Sequence, residues 1–169
     1  MNSLNNLKIC FIAGTLRKGG SERQLYYNIK ALKELDAEVY VLSLDKNGYW
    51  KEKIEGLEAK VIFVGNSKIR LIRLIITTSH LFYISPNIIQ SQHFYTNIYA
   101  WIAASILRKI SIGAVRNKFS EENKELKSKF FKNLNLFGLD YIFINSKSAD
   151  KEIKNNKKIN SYCLHYPNV

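Results

Sequence analysis

The 169-residue chain is poor in several things, and each shortage excludes a class of protein. It has two cysteines, Cys10 and Cys163, and no Cys-x-x-Cys or His/Cys spacing, so neither a disulfide framework nor a zinc site is expected. Cys10 lies in the apolar run "ICFIA" and reads as a small buried hydrophobe. Two prolines and eight glycines argue against a disordered or fibrous chain. No run reaches the ~18 uncharged apolar residues that span a bilayer. The opening "MNSLNNLKICFIAG" lacks a signal-peptide layout, so a cytoplasmic protein is expected. Acidic residues are also scarce: 14 Asp and Glu against 26 Lys and Arg, a formal net charge of +12. That excess favours anionic partners, whether nucleic acid, acidic lipid or phosphorylated small molecules, and does not choose among them.

What is present is an ordinary globular composition, 46% hydrophobic and 24% charged, at a length that suits one domain. Short apolar runs rich in Ile, Val, Phe and Tyr fall at 8–14, 38–44, 60–65, 87–92, 111–117, 140–146 and 160–167. Several are apolar on consecutive positions, the pattern of strands buried on both faces. Helical spacing separates them. Residues 21–35 place Leu25, Ile29 and Leu32 on one face; 94–108 place Phe94, Ile98, Trp101, Ile102 and Ile106; 120–137 place Leu126, Phe130, Leu134 and Phe137. Residues 45–56 read as a loop with a short helix. The β-α alternation predicts an α/β fold, a Rossmann-like doubly wound parallel sheet in a single domain. Ligands of such sheets bind beyond the carboxyl ends of the strands, so the loops after 14, 44, 65, 92, 117 and 146 should share one rim.

The stretch "RKGGSERQLYYNIKAL" (17–32) follows the first strand. Ser21 with Gln24 three residues on has the form of a capping box. The pair Gly19-Gly20 lets backbone approach a ligand, and free N–H groups at a helix start hold anions. Glu22 suits the helix dipole and Arg23 opposes it, which fits either an anion near Arg23 or an arginine left exposed or paired with Glu22 or Glu34. The dinucleotide fingerprint and the P-loop are both excluded by spacing. With that fingerprint broken, Asp45 after the second strand is the one feature left for a nicotinamide-dependent oxidoreductase.

Five segments, in order, resemble the amino-terminal domain of family 4 glycosyltransferases: "KICFIAGTLRKGGSERQLYYNIKAL", "SPNIIQSQHFYTNIYAWIAA", "IGAVRN", "LDYIFINSKSADKEI" and "LHYPNV". The resemblance implies half of a two-domain GT-B architecture, the acceptor-side half, in an enzyme that moves a sugar from a nucleotide-sugar with retention of configuration. It implies a saccharide or lipid-linked glycan acceptor in surface polysaccharide or glycan synthesis. It implies no metal and no cofactor beyond the nucleotide-sugar co-substrate. The carboxy-terminal donor-binding domain is then expected to lie outside this chain, and residues 1–169 alone to be inactive. Gly19 and Gly20 would face the donor diphosphate, with Arg23 supporting that loop or binding charge. The family's histidine positions after the fourth strand hold Gln90 and Gln92 here, and His93 follows. Gln92 can bond sugar hydroxyls and carries no proton at neutral pH, which leaves His93 as the catalytic candidate beside a structural reading. Arg116 grips a phosphate or carboxylate, or pairs with Glu121 or Glu122. Asn145 ends the sixth strand, where Ser146 caps the next helix; Asn168 belongs to the expected hinge.

Residues 66–84 set Lys68, Arg70 and Arg73 among Ile and Leu. A basic amphipathic helix of this kind either packs on the sheet with its cations in water or lies on anionic lipid, giving an anionic membrane surface as a further candidate partner and the inner face of the membrane as a peripheral location. The alternative of a different class is a basic nucleic-acid-binding module. No helix-turn-helix, zinc-finger or RNA-recognition signature supports it, although the chain has ten Tyr and nine Phe.

Overall fold

The structure, a computed structural model, describes residues 4–65, 67–116, 136–145, 147–154 and 162–165. A seven-stranded sheet organises them: β1 Lys8–Ala13, β2 Glu38–Ser43, β3 Lys60–Phe63, β4 Ile88–Ser91, β5 Ile110–Val115, β6 Tyr141–Ile144 and β7 Tyr162–His165. Every pairing is parallel and the order is β3-β2-β1-β4-β5-β6-β7. The helices are α1 Gly20–Glu34, α2 Lys51–Glu55, α3 Arg70–Ile84, α4 Asn97–Leu107 and α5 Lys147–Lys154, with a 3-10 turn Phe94–Thr96 before α4. Doubly wound parallel architecture is thus what the alternating runs predict. The expected helix over 120–137 lies outside the described residues except at its end, where Leu136 and Phe137 sit in a turn.

Alternation along β1 shows why its run is apolar without a break. Ile9, Phe11 and Ala13 meet Leu25 and Ile29 of α1 and Ile54 of α2 on one face. Cys10 and Ile12 meet Leu81 and Ile84 of α3 and Tyr99, Ala100 and Ala103 of α4 on the other. Cys10 is fully buried and free, and burial pushes its thiol far above the ordinary value, so it behaves as the hydrophobe expected. A third cluster joins β5 and β6 to Phe94, Leu139 and Ala149 and Ile153 of α5.

Two sequence expectations change. The buried face of α4 is Asn97, Tyr99, Ala100, Ala103 and Ala104, whereas Ile106 is exposed. Of the expected stripe, Phe94 is buried before the helix, Ile98 and Trp101 pack partly buried against the core, and the small alanines take the innermost face. The strands also stop short of the predicted ends: Gly14, Gln92, Arg116 and Asn145 lie just past the ladders and form the carboxyl rim. Among the described residues no helix is long and apolar enough to cross a membrane.

Candidate functional site

The strand order reverses between β1 and β4, which pair in register from Ile9 with Ile88 to Ile12 with Ser91. After β1 the chain leaves for α1 on one face; after β4 it leaves for α4 on the other. The loop at 14–19 and the turn at 92–96 therefore meet at the switch point, the part of the rim where doubly wound sheets bind their ligands.

Helix α1 begins two residues earlier than the capping box predicts. Its cap is Gly19, extended at φ −164°, with no side-chain cap hydrogen bond. Ser21 instead donates its hydroxyl to the Gln92 carbonyl at 3.4 Å, and Gln24 Oε1 accepts from the Arg116 guanidinium. A bond from a charged donor outweighs the capping interaction Gln24 would otherwise make.

Glu22 takes over the helix start. It is buried, and its Oε1 accepts from Thr15 Oγ1 at 2.8 Å and lies 3.1 Å from His93 Nε2. A side chain on Gly19 would run into Glu22 Oε2. Burial opposes the charged form of Glu22, but hydrogen bonds from His93, Thr15 and its own N–H prevail and lower its carboxyl to about 2.

His93 is held on both sides. Gly14 N–H donates to Nδ1 at 3.1 Å, so Nδ1 must be the acceptor and Nε2 carries the proton given to Glu22. Tyr95 stacks on the ring, with centroids 5.4 Å apart and planes at 26°. The same tyrosine lies where a Gly14 side chain would be. Neither nitrogen of His93 is open to a substrate proton in this arrangement.

Gln92 is fully buried. Its N–H reaches Ile12 O at 2.9 Å, its Nε2 reaches Ser21 O at 2.6 Å, and its carbonyl accepts from Arg116 Nε at 2.9 Å. Its Oε1 is buried and accepts no hydrogen bond from the described residues. Ser21, Glu22 and Gln24 at the start of α1, with Gln92, His93 and Arg116, are thus one hydrogen-bonded unit that joins α1 to the ends of β1, β4 and β5.

Arg23 and Asn145 stand apart. Arg23 is exposed, and its side chain pairs with neither Glu22 nor Glu34. The charge that turns inward at the helix start is Glu22, as the dipole favours. Asn145 is exposed at the end of β6, one strand beyond Arg116 on the same rim. Ser146, Asn117, Glu121, Glu122 and Asn168 lie outside the described residues.

Gly20 differs from its neighbours. A Cβ built there meets nothing within 4 Å, and its φ is not in the left-handed region. The first helical hydrogen bond is Arg23 N–H to Gly19 O at 3.0 Å, so the Gly20 and Ser21 N–H groups precede the helical ladder.

Sequence reasoning missed the residues that hold the turn after β4. Ser91 Oγ lies 2.6 Å from Thr96 Oγ1, and both hydroxyls reach the His93 carbonyl, at 2.7 and 2.8 Å. Asn97 bonds the N–H and C=O of Ala114 at 2.9 and 3.1 Å, replacing β4 where that strand has ended. The signal was a polar cluster, "SQHFYTN", at a strand-to-helix junction of an otherwise apolar segment.

The fold defines the class: a single Rossmann-like α/β domain matching half of a GT-B glycosyltransferase. Among solved structures, Anabaena Alr3699/HepE in complex with UDP-glucose superposes with a TM-score of 0.74 at 16% identity, over 95% of this chain and 43% of that one. The lipopolysaccharide outer core galactosyltransferase WaaB gives 0.64 at 17% identity, over 88% of this chain and 42% of that one. UDP-GlcNAc 2-epimerase from Methanocaldococcus jannaschii gives 0.55 at 16%, over 92% and 45%. The chain spans less than half the length of each. No family model matches the chain, and no curated protein sequence matches it.

Proposed function

We propose that the chain is the acceptor-side half of a retaining family 4 glycosyltransferase. It would transfer a sugar from a nucleotide-sugar to a saccharide or lipid-linked glycan in surface polysaccharide or glycan synthesis. The observation that carries this reading is the start of α1: Gly20 faces open space at the rim beside the switch point, next to two N–H groups that precede the helical ladder. Nothing in the chain's own packing there calls for glycine, whereas a diphosphate approaching the backbone does. Aligned N–H groups would stabilise the charge that builds on the leaving diphosphate.

On this reading Gly19 and Gly20 meet the donor phosphates, and exposed Arg23 adds positive charge at the rim. Gln92 is fully buried and would act on the ligand through Ser21, whose carbonyl its Nε2 holds at 2.6 Å. His93 and Arg116 act first as positioning groups: His93 fixes Gly14 and Glu22, and Arg116 ties α1 to the end of β4. Asn145 borders the acceptor end of the rim. Most of the nucleotide-sugar would be held by a second domain, and residues 1–169 alone would be inactive. Transferase assays with and without a donor-binding domain test this. Turnover of a nucleotide-sugar by residues 1–169 alone would overturn it.

A further inference from the structure

From Ala59 to Ser120 the sequence contains no aspartate or glutamate. That segment supplies α3 and α4, the layer on one face of the sheet. On α3 the inner face buries Thr77, Leu81 and Ile84. Its outer face carries Leu71 (64% exposed), Ile75 (57%), Phe82 (67%) and Tyr83 (85%), and Ile106 of α4 (64%) lies alongside. Between the two helices runs a groove of about 410 Å3, bordered by Leu74, Ile75, Phe82, Ile106 and Leu107.

Cations bracket this apolar stripe. Lys68, Arg70 and Arg73 lie at the start of α3, and Arg108 and Lys109 follow α4. Glu38, at the start of β2, is already held by Lys8 at 3.2 Å and Lys60 at 3.3 Å. Polar side chains on the helix turn back to their own backbone: Ser79 Oγ donates to Ile75 O at 3.0 Å, and His80 Nδ1 lies 2.9 Å from Ile76 O.

We propose that the α3/α4 face docks on an anionic lipid bilayer, with α3 lying in the plane of the interface. Large apolar side chains would enter the acyl boundary, and the bracketing Lys and Arg would reach the headgroups. Charge complementarity selects this occupant. A second copy would bring the same cations against themselves across a two-fold axis. A protein interface uses roughly one hydrogen bond per 100–200 Å2, and this stripe turns its polar groups inward. Because α3 follows the carboxyl end of β3, its first turn lies at the rim, and docking sets that rim beside the lipid surface. The inference is independent of glycosyl transfer and stands or falls without a nucleotide-sugar.

Flotation of the full chain with phosphatidylglycerol/phosphatidylcholine vesicles, against phosphatidylcholine alone, tests it. Wild type should float with the anionic vesicles only, less so in high salt. The pairs Ile75→Glu/Phe82→Glu and Arg70→Glu/Arg73→Glu should each weaken partition on the order of tenfold. Lys30→Glu/Lys33→Glu on α1 makes the same change in net charge on the opposite face and should leave partition nearly unaltered. Lys30, Arg70, Ile75 and Phe82 are exposed and Lys33 and Arg73 partly buried, and thermal melts should confirm folding. The proposal is overturned if no vesicle binds, if the α1 pair weakens binding as much as the α3 pair, or if Ile75→Glu/Phe82→Glu dissociates a dimer while leaving flotation intact.

Discussion

Helices α1 and α3 are each 15 residues long and pack on opposite faces of one sheet, yet their outward sides differ in kind. α1 buries Leu25 and Ile29 and presents charges of both signs: Arg23, Lys30, Lys33 and Glu34. α3 buries Leu81 and Ile84 and presents Leu71, Ile75, Phe82 and Tyr83, with cations at its start and no acid in its first turn. The first turn of α1 is tied through Glu22, Ser21 and Gln24 to three other elements. Packing against the sheet fixes only one side of a helix. The other side reports the medium it meets, which is water for α1 and, on the docking proposal, lipid headgroups for α3.

The comparison can be broken most sharply by truncation. Leu25→Ala should lower stability by about 2–5 kcal/mol, because it empties a fully buried site. Ile75→Ala should change it by no more than ~0.5 kcal/mol. Equal losses in urea melts would mean that the outer face of α3 is already packed.

Glu22→Gln should cost about 1–3 kcal/mol at neutral pH, since it weakens a buried, charge-assisted network. Its pH dependence has a definite sign. The folded carboxyl titrates at about 2, below its ordinary 4.5, so its contribution is complete above the ordinary value. That contribution is lost as pH falls from about 4.5 towards about 2. The wild-type minus Glu22→Gln stability difference should therefore shrink across that window; a difference flat in pH would refute the inward-facing carboxylate.

Two glycines, one after β1 and one at the start of α1, sharpen the contrast. Gly14→Ala should destabilise, because its Cβ meets the Tyr95 ring. Gly20→Ala should be neutral or raise stability by up to ~1 kcal/mol, as glycine is the poorer helix former. Thermal melts of the two variants separate a glycine required by the fold from one that is not.

Much of the frame was legible in the sequence. The seven apolar runs became seven parallel strands, because a run buried on both faces is apolar at every position. The rim was legible for the same reason, since topology places every strand end on one edge. The roles of individual side chains were not. Local rules give the cap to Ser21 and Gln24, but the partners that decide the outcome, His93 for Glu22 and Arg116 for Gln24, lie 71 and 92 residues away. The phase of α4 was hidden because its alanines and Asn97 carry little hydrophobic signal, yet they allow the close approach that buries them. Asn97 could be recognised only once β4 was seen to end before β5 does.

The account rests on a diphosphate meeting the start of α1, and amide NMR of the chain titrated with uridine diphosphate tests that contact directly. The Gly20 and Ser21 amide resonances should shift, and Gly20→Leu should abolish those shifts without lowering the melting temperature. Shifts confined to other parts of the molecule, or a Gly20→Leu chain that responds as wild type does, would contradict the account.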